Sequence, residues 1–271
     1  MNLKRILTYI ILIIASFITI FPIYWMASLS LQPSILAWSF PPSFIFVPTL
    51  ENYEMIFFKR HFDKWLLNSI VVTSGATSLS ILLGLFAAYA FSRFKIKGTR
   101  QIAMWILSLR FFPPIVIILP LYILYSGWGI YDTFLGLILA HSTMLLPFSI
   151  WMLFGFLNEI PKELDEAAEI DGASKLSILF RILIPLSKAG IAATAILCAI
   201  TSWNDFIFAF SLTSEHSKTL MVAISGLLGD YVWEWSAFYA AGTLSIFPMI
   251  LLGLIAQRYL ARGVTFGALK M

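Results

Sequence analysis

The stretch ILTYIILIIASFITIFPIYWMASL, residues 6–29, contains no charged side chain. A helix needs about 20 mostly apolar residues to cross the roughly 30 Å hydrocarbon core of a bilayer, so this stretch predicts a membrane-spanning helix. Lys4 and Arg5 precede it, as basic residues precede the core of a signal peptide. The apolar run is longer than such a core and no small-x-small cleavage pattern ends it, so we expect a retained helix.

Five further apolar stretches have similar lengths. They cover approximately residues 66–92, 101–125, 134–157, 189–212 and 236–260. Together the six stretches predict an all-α, polytopic bundle of about six transmembrane helices, forming a single transmembrane domain over residues 1–271. Because proline lacks a backbone donor, we expect the third helix to bend or open at Pro113 and Pro114.

The composition also indicates a membrane protein. Hydrophobic residues make up 60% of the 271 residues, charged residues only 12%, and the mean hydropathy is +0.89. Soluble domains carry about twice that charged fraction. Cys198 is the only cysteine, which excludes an intramolecular disulfide. The net charge of +4 comes from dispersed loop residues, which do not predict nucleic-acid binding.

The loop charges predict the orientation of the chain. With the N-terminus inside, 13 of the 18 lysines and arginines lie in inner segments, four lie in outer segments, and Arg110 lies within a span. Basic residues concentrate on the cytoplasmic side of membrane proteins. We therefore expect both termini to be on the cytoplasmic side of the membrane.

Two of the outer segments are long enough to have structure of their own. They are residues 30–65, which contain four prolines, and residues 213–235, in which Trp233 and Trp235 could lie at the membrane interface. Either segment could receive a soluble partner or be an ordinary connection.

One inner segment differs from the other loops: EIPKELDEAAEIDGAS, residues 159–174. Pro161 suits the first turn of a helix, and the acidic residues that follow it suit the positive end of the helix dipole. Gly172 can end that helix in a left-handed conformation, after which a second helical stretch runs toward Pro185. The segment predicts a short helix–turn–helix on the inner membrane face.

This loop, residues 159–185, resembles the EAA loop of binding-protein-dependent ABC permeases. The resemblance rests on Glu166-Ala167-Ala168, on Gly172 after three intervening residues, and on Ile182-Leu183-Ile184-Pro185 after nine more residues. The family usually ends this motif with Leu-Pro, where this chain has Ile-Pro. In the family the loop forms a cytoplasmic coupling helix in a groove of the ATPase subunit. The residues carried over to that role are Glu166, Ala167, Ala168, Asp171, Gly172 and Ala173.

The resemblance covers nearly the whole chain and is closest to the carbohydrate branch. The matching segments are 49–53, 68–70, 87–91, 171–174 and Trp203-Asn204-Asp205. The tail from Arg262 to Lys270 resembles the end of the second permease subunit of maltose-type systems, although it closes on Leu-Lys-Met where the family often has Val-Lys-Gly. The resemblance implies a sugar, oligosaccharide or polyol as solute.

The resemblance also implies a location in the cytoplasmic (inner) membrane of a bacterium or archaeon. The partners it implies are membrane lipid, a homologous second permease subunit, two ABC ATPase subunits and an extracytoplasmic solute-binding protein. The sequence contains no G-x-x-x-x-G-K-S/T motif. We therefore expect no catalytic residues here, and ATP and Mg²⁺ on the ATPase subunits. The three histidines are far apart in sequence, which does not predict a metal site.

Polar residues within the spans are candidates for the substrate pathway, because ionisable groups at membrane depth usually face a cavity or a partner. Arg110 could donate to sugar hydroxyls or hold carbonyl groups freed by the nearby prolines. Trp203, Asn204 and Asp205 could stack on and hydrogen-bond a sugar, or they could form a helix-packing cluster. An Arg110–Asp205 ion pair is a further hypothesis.

The sequence leaves two rival functions open. An ion-coupled secondary transporter should contain a buried carboxylate or histidine relay and inverted repeats with broken helices. A membrane scaffold without a substrate path would not need a coupling loop.

His141, Ser142 and Thr143 in the fourth span are expected to join helices together.

Overall fold

The structure is a computed structural model that describes residues 3–230 and 235–268. Within these residues the regular elements are helices, and no strand occurs. In chain order they are α1 (Leu3–Ser30), α2 (Glu51–Glu54), α3 (Phe62–Arg93), α4 (Thr99–Ser108), α5 (Pro114–Gly127), α6 (Phe134–Asn158), α7 (Glu163–Ile170), α8 (Lys175–Ile178), α9 (Ile184–Leu186), α10 (Lys188–Trp203), α11 (Ile207–Leu212), α12 (Leu220–Asp230) and α13 (Trp235–Ala268). Short 3₁₀- or π-helical turns cover Ser34–Trp38, Met55–Lys59, Leu109–Phe111 and Leu179–Leu183.

Four continuous helices are long and apolar enough to cross a membrane. They are Lys4–Ser30, Phe62–Arg93, Phe134–Asn158 and Trp235–Gln257. Two bent pairs raise the number to as many as six: Thr99–Phe111 with Pro114–Gly127, and Lys175–Leu186 with Lys188–Trp203, bent by 85° and 79°. The all-α fold with about six spans is therefore confirmed. The inside position of both termini and the single domain stay predictions.

The third predicted span breaks where the prolines predict. Phe112 and Pro113 adopt extended backbone conformations, with ψ of 129° and 123°, between the turn Leu109–Phe111 and α5. Pro113 has no amide to donate, and a residue before proline is disfavoured in the helical region. The expected bend of the span over residues 101–125 at these prolines is therefore confirmed.

The fifth predicted span, residues 189–212, is also not one helix. α10 ends at Trp203, and α11 begins only at Ile207. The Asp205 carboxylate accepts hydrogen bonds from the amides of Phe208 and Ala209, at 3.1 and 3.2 Å. Aspartate bonds readily to nearby amides and so favours helix starts over helix interiors, which explains the break.

One compact unit consists of Met1–Leu66 and Val222–Pro248. Its outer segment is held to the end of α1, because the Asn52 amide donates to the carbonyls of Ser30 (2.9 Å) and Gln32 (2.8 Å). The Tyr53 hydroxyl lies 2.6 Å from the Ser30 hydroxyl. Residues 49–53 therefore have a structural role here. Trp235 begins α13, whereas Trp233 lies outside the described residues.

The second unit consists of Leu67–Met221 and Met249–Met271, and it contains the inner loop and the polar residues within the spans. α3 and α6 pack closely in it. A Cβ atom added to Gly84 would lie 2.6 Å from the Ser149 hydroxyl, which itself donates to the Ser80 carbonyl at 2.8 Å. Because lipid supplies no hydrophobic drive, such close approach at small residues holds membrane helices together.

Candidate functional site

The inner loop folds as two helical segments joined by a turn. α7 ends before Gly172, whose φ of +82° lies in the left-handed region that glycine adopts without steric cost. The Ala173 amide donates to the Ala168 carbonyl at 2.9 Å and closes the end of α7. The second segment, Lys175–Leu186, leads into α10. The predicted helix–turn–helix over residues 159–185 is confirmed.

Arg93, the last residue of α3, anchors this loop to the bundle. Its Nε donates to the Asp165 carboxylate at 2.5 Å, and its two Nη groups donate to the carbonyls of Leu157 (3.0 Å) and Ile160 (3.1 Å). Arg93 and Asp165 are almost fully enclosed, with side chains only 6% and 10% exposed. Because the enclosed Arg93 guanidinium donates to three acceptors in a low-dielectric environment, it joins α3, α6 and α7 at one point. This pairing could not be predicted from the sequence, because residues 72 positions apart share no periodic pattern.

An apolar cluster reinforces the anchor. Its buried members are Leu85, Ala88, Tyr89, Leu153, Leu157, Ile178, Leu179 and Leu183. The Tyr89 hydroxyl also donates to the Lys175 carbonyl at 3.0 Å. At the exposed tip, Lys175 pairs with Glu169 across the turn, and this hydrogen bond raises the pKa of Lys175.

The six coupling residues carried over from the family differ in exposure. Glu166, Ala167, Asp171 and Gly172 are exposed, whereas Ala168 and Ala173 are half-buried against the apolar cluster. Sequence reasoning missed three apolar side chains that the loop presents to the surroundings: Leu164, Ile170 and Leu176. Ile170, at the end of α7, is 86% exposed. These three residues lie among charged residues in the sequence, and this pattern could have indicated an outward-facing apolar surface.

The polar residues at the end of α10 form a packed cluster with α6. The fully buried His141 ring places Nδ1 2.7 Å from the Ser202 hydroxyl and Nε2 3.3 Å from Asp205 Oδ1. Trp203 is only 5% exposed, so its ring is not available for stacking on a sugar in this conformation. Asn204 is exposed, and its amide donates to the Ile200 carbonyl at 2.9 Å. The helix-joining role expected for His141 is confirmed.

Arg110 and Asp205 have different partners, so the hypothetical ion pair between them does not form in this structure. The Arg110 guanidinium carbon lies 4.7 Å above the centre of the Phe148 ring. Arg110 lies in the short 3₁₀ turn Leu109–Phe111, between α4 and the proline break, and its side chain is exposed. Of the four candidate pathway residues, Arg110 and Asn204 are accessible, while Trp203 and Asp205 are held within the packing.

Asp132 fixes the connection between α11 and α12. Its carboxylate accepts hydrogen bonds from four consecutive amides, Ser214 to Ser217, at 2.9–3.0 Å. Burial by itself raises the pKa of Asp132, but these four donors together hold it well below its usual range. Asn68 supports the same connection by donating to the carbonyls of His216 and Lys218. This connection is therefore a preorganised loop.

The described residues contain no group of three or more His, Cys, Asp or Glu side chains placed to hold a metal ion. The absence of a metal or cofactor site on this chain stays a prediction. The arrangement offers an anchored loop with an exposed apolar face and a polar break within a span. We assign no covalent chemistry to these features.

Comparison with known proteins identifies the family. Residues 80–266 match the family described as "Binding-protein-dependent transport system inner membrane component". The trehalose/maltose transport system permease protein MalG of Thermococcus litoralis is 36% identical, covering 99% of this chain and 98% of that protein. The trehalose transport system permease protein SugB of Mycobacterium tuberculosis is also 36% identical, over 92% of each chain. The sulfoquinovosyl glycerol transport system permease protein SmoH of Agrobacterium fabrum is 31% identical, covering 93% of this chain and 89% of that protein.

Solved structures support the same fold. A bacterial ABC transporter involved in the import of the acidic polysaccharide alginate aligns with a TM-score of 0.77 and 23% identity, covering 94% of this chain and 96% of that one. A bacterial alginate ABC transporter, in complex with an alginate pentasaccharide-bound periplasmic protein, aligns with a TM-score of 0.67 and 16% identity, over 96% of each chain. The anchored inner loop, the helical fold and the similarity along the whole chain agree, and the chain belongs to the family of inner-membrane components of binding-protein-dependent transport systems.

Proposed function

We propose that this chain forms half of the translocation pathway of an ATP-driven importer for a sugar, an oligosaccharide or a polyol. The names of the relatives support this solute class, because trehalose, maltose and sulfoquinovosyl glycerol all contain a sugar. An extracytoplasmic binding protein delivers the solute, and a homologous permease subunit supplies the other half of the pathway. Two ABC ATPase subunits bind ATP and Mg²⁺ and perform the hydrolysis.

The exposed apolar face of the anchored inner loop is the observation that carries the coupling assignment. Leu164, Ile170 and Leu176 are exposed on a loop that buried residues hold rigidly to the bundle. Protein interfaces bury an apolar centre inside a polar rim, and here Glu166 and Asp171 supply the rim. We assign this face to the ATPase groove, with Ala167 allowing close approach.

The other carried-over residues shape the loop. Gly172 provides the left-handed turn, and Ala168 and Ala173 pack against the apolar cluster. Through Arg93, a displacement of α7 would pull on the ends of α3 and α6 together. ATP-driven closure of the ATPases would then move packed helices as rigid bodies and change the side on which the pathway opens.

In this scheme the accessible side chains of Arg110 and Asn204 are the solute contacts. Both can donate hydrogen bonds to sugar hydroxyls. Trp203 and Asp205 would act indirectly, by fixing the break between α10 and α11. An ion-coupled transporter is not supported, because the family assignment opposes it. In addition, the buried Asp205 carboxylate caps α11, which gives it a structural role.

Substitution of Ile170 tests the coupling assignment in the complete importer reconstituted into liposomes. Ile170→Asp should place a charge in the buried centre of the interface, so the ATPase should co-purify weakly and solute uptake should collapse. Ile170→Met is the matched control, because it keeps an apolar side chain of similar volume and should keep both activities. Full ATPase retention and normal coupled uptake in Ile170→Asp would exclude this face as the docking site.

A transport assay tests the solute class separately. Proteoliposomes with the cognate binding protein should take up labelled di- or oligosaccharides or polyols in an ATP-dependent manner. Uptake of amino acids or inorganic ions, without any carbohydrate or polyol, would overturn the solute class and leave the coupling assignment intact.

A further inference from the structure

A cavity lies between the beginning of α4 and the end of α6, outside the coupling face and the polar break. Its volume is about 660 Å³. The lining is mostly apolar, with a few polar groups at one end; the residues that matter here are Arg100, Met104, Leu107, Trp151, Gly155 and Glu159. The lining residues on α4 run from Arg100 to Leu107, which is about 10 Å at 1.5 Å per residue.

No side chain fills the cavity at Gly155. A Cβ atom added to Gly155, in the last turn of α6, would have no heavy atom within 4 Å. The open space suits a slender apolar group lying against the helix.

Positively charged groups lie at one end of the cavity. Arg100 is exposed, and within the described residues it has neither an ion pair nor a hydrogen bond from its side chain; the same holds for the nearby Lys95 and Lys97. No side chain caps the first turn of α4, which adds the positive end of that helix. Glu159 is the single acidic residue in the lining, and Asn158 lies beside it.

This combination has the chemistry of a phospholipid. A guanidinium matches a phosphate by paired hydrogen bonds, and a carboxylate with an amide matches an ammonium group or glycerol hydroxyls. The apolar part, which includes Met104, Leu107 and Trp151, suits an acyl chain. The loop charges place Arg100 and Glu159 at the inner side of the membrane, where anionic lipids attract basic residues.

We propose that this cavity binds one phospholipid of the inner leaflet, with its phosphodiester on Arg100, its polar end toward Asn158 and Glu159, and one acyl chain beside Gly155. The site joins α4 to α6, and it is independent of which solute the importer carries. It requires only the membrane location that the family assignment gives.

Native mass spectrometry of the complete, detergent-purified importer tests the proposal by counting the phospholipids it retains. Arg100→Gln should lower the count by one lipid per complex because the phosphate loses its partner. Gly155→Leu should do the same because it fills the acyl chain's space. The matched controls are Arg181→Gln, an exposed arginine away from the cavity, and Gly253→Leu, a helical glycine that also has open space around it. Both controls should keep the wild-type count.

Three results would overturn the proposal: no lipid retained by the wild type, unchanged counts in both cavity variants, or equal losses in variants and controls. Arg100→Gln changes only an exposed side chain, so it reports on the site even if Gly155→Leu fails to assemble. A photo-crosslinking residue at Gly155 gives an independent measurement. It should label phospholipid, and labelling of the second permease subunit alone would show that a protein covers the cavity.

Discussion

Removing the Arg93 guanidinium gives the sharpest test of how the inner loop is held. Arg93→Gln takes away the positive charge, the 2.5 Å bond to Asp165 and at least one of the two bonds to carbonyls. The substitution leaves the Asp165 carboxylate enclosed without a counter-charge. The Oδ1 atom of Asp165 already has no hydrogen-bond partner in the described structure. The loop must then open or admit water.

The expected magnitude follows from burial. Removing one partner of a buried ion pair costs about 3–5 kcal/mol. Glutamine can still donate to one carbonyl, so we expect the lower end of that range, about 3 kcal/mol. Since about 1.4 kcal/mol corresponds to a tenfold change in an equilibrium, local opening of the loop should become roughly 100-fold more frequent.

Hydrogen–deuterium exchange of the assembled complex in lipid nanodiscs measures this opening. Amides in α7 and the following turn should exchange roughly 100-fold faster in Arg93→Gln, while those in the middle of α6 should not change. The double variant Arg93→Gln/Asp165→Asn should lose less than the sum of the two single variants, because it no longer buries an unpaired charge.

Arg181→Gln is the matched control, because this arginine lies in the same loop but is exposed and has no ion pair within the described residues. Its exchange should change by no more than about twofold, as for most surface substitutions. Unchanged protection in Arg93→Gln, in a complex that still assembles, would refute the anchoring role and with it the proposed link between α7 and the bundle.

Three further predictions concern single side chains. Gly172→Ala should destabilise the turn by about 1–2 kcal/mol because φ is positive there, and Gly172→Pro by more; faster amide exchange in α7 and weaker ATPase stimulation would show it, whereas Gly253→Ala should not destabilise its helix. Asp132→Asn should loosen residues 214–217 at neutral pH, measured by exchange or proteolysis. Because the folded pKa of Asp132 is depressed, its contribution is complete above the ordinary aspartate pKa and is lost only as the pH falls through the folded value, so the wild-type loop should stay protected down to about pH 4. Asp205→Ala should lower the stability of the complex by about 0.5–2 kcal/mol through loss of the α11 cap, whereas Asp205→Asn keeps an acceptor; lost uptake with unchanged stability in Asp205→Asn would instead indicate that the carboxylate contacts solute.

The sequence by itself determined the all-α membrane fold and the helix–turn–helix of the inner loop. Both depend on local properties: a run of apolar residues predicts a span wherever it lies, and Gly172 supplies a left-handed turn without help from distant residues. The break at Pro113 is of the same kind, because proline removes a donor in any surroundings.

Only the tertiary structure decided which polar groups pair. Asp205 could have paired with Arg110, but the fold turns it toward His141 and the amides that begin α11. Arg93 looked like one more inner-loop charge until the folded chain enclosed it beside Asp165. Such pairing depends on which helices meet and at what height, and these are set by packing between residues far apart in the chain. A buried charge must have a partner, but the sequence does not say which partner lies within reach.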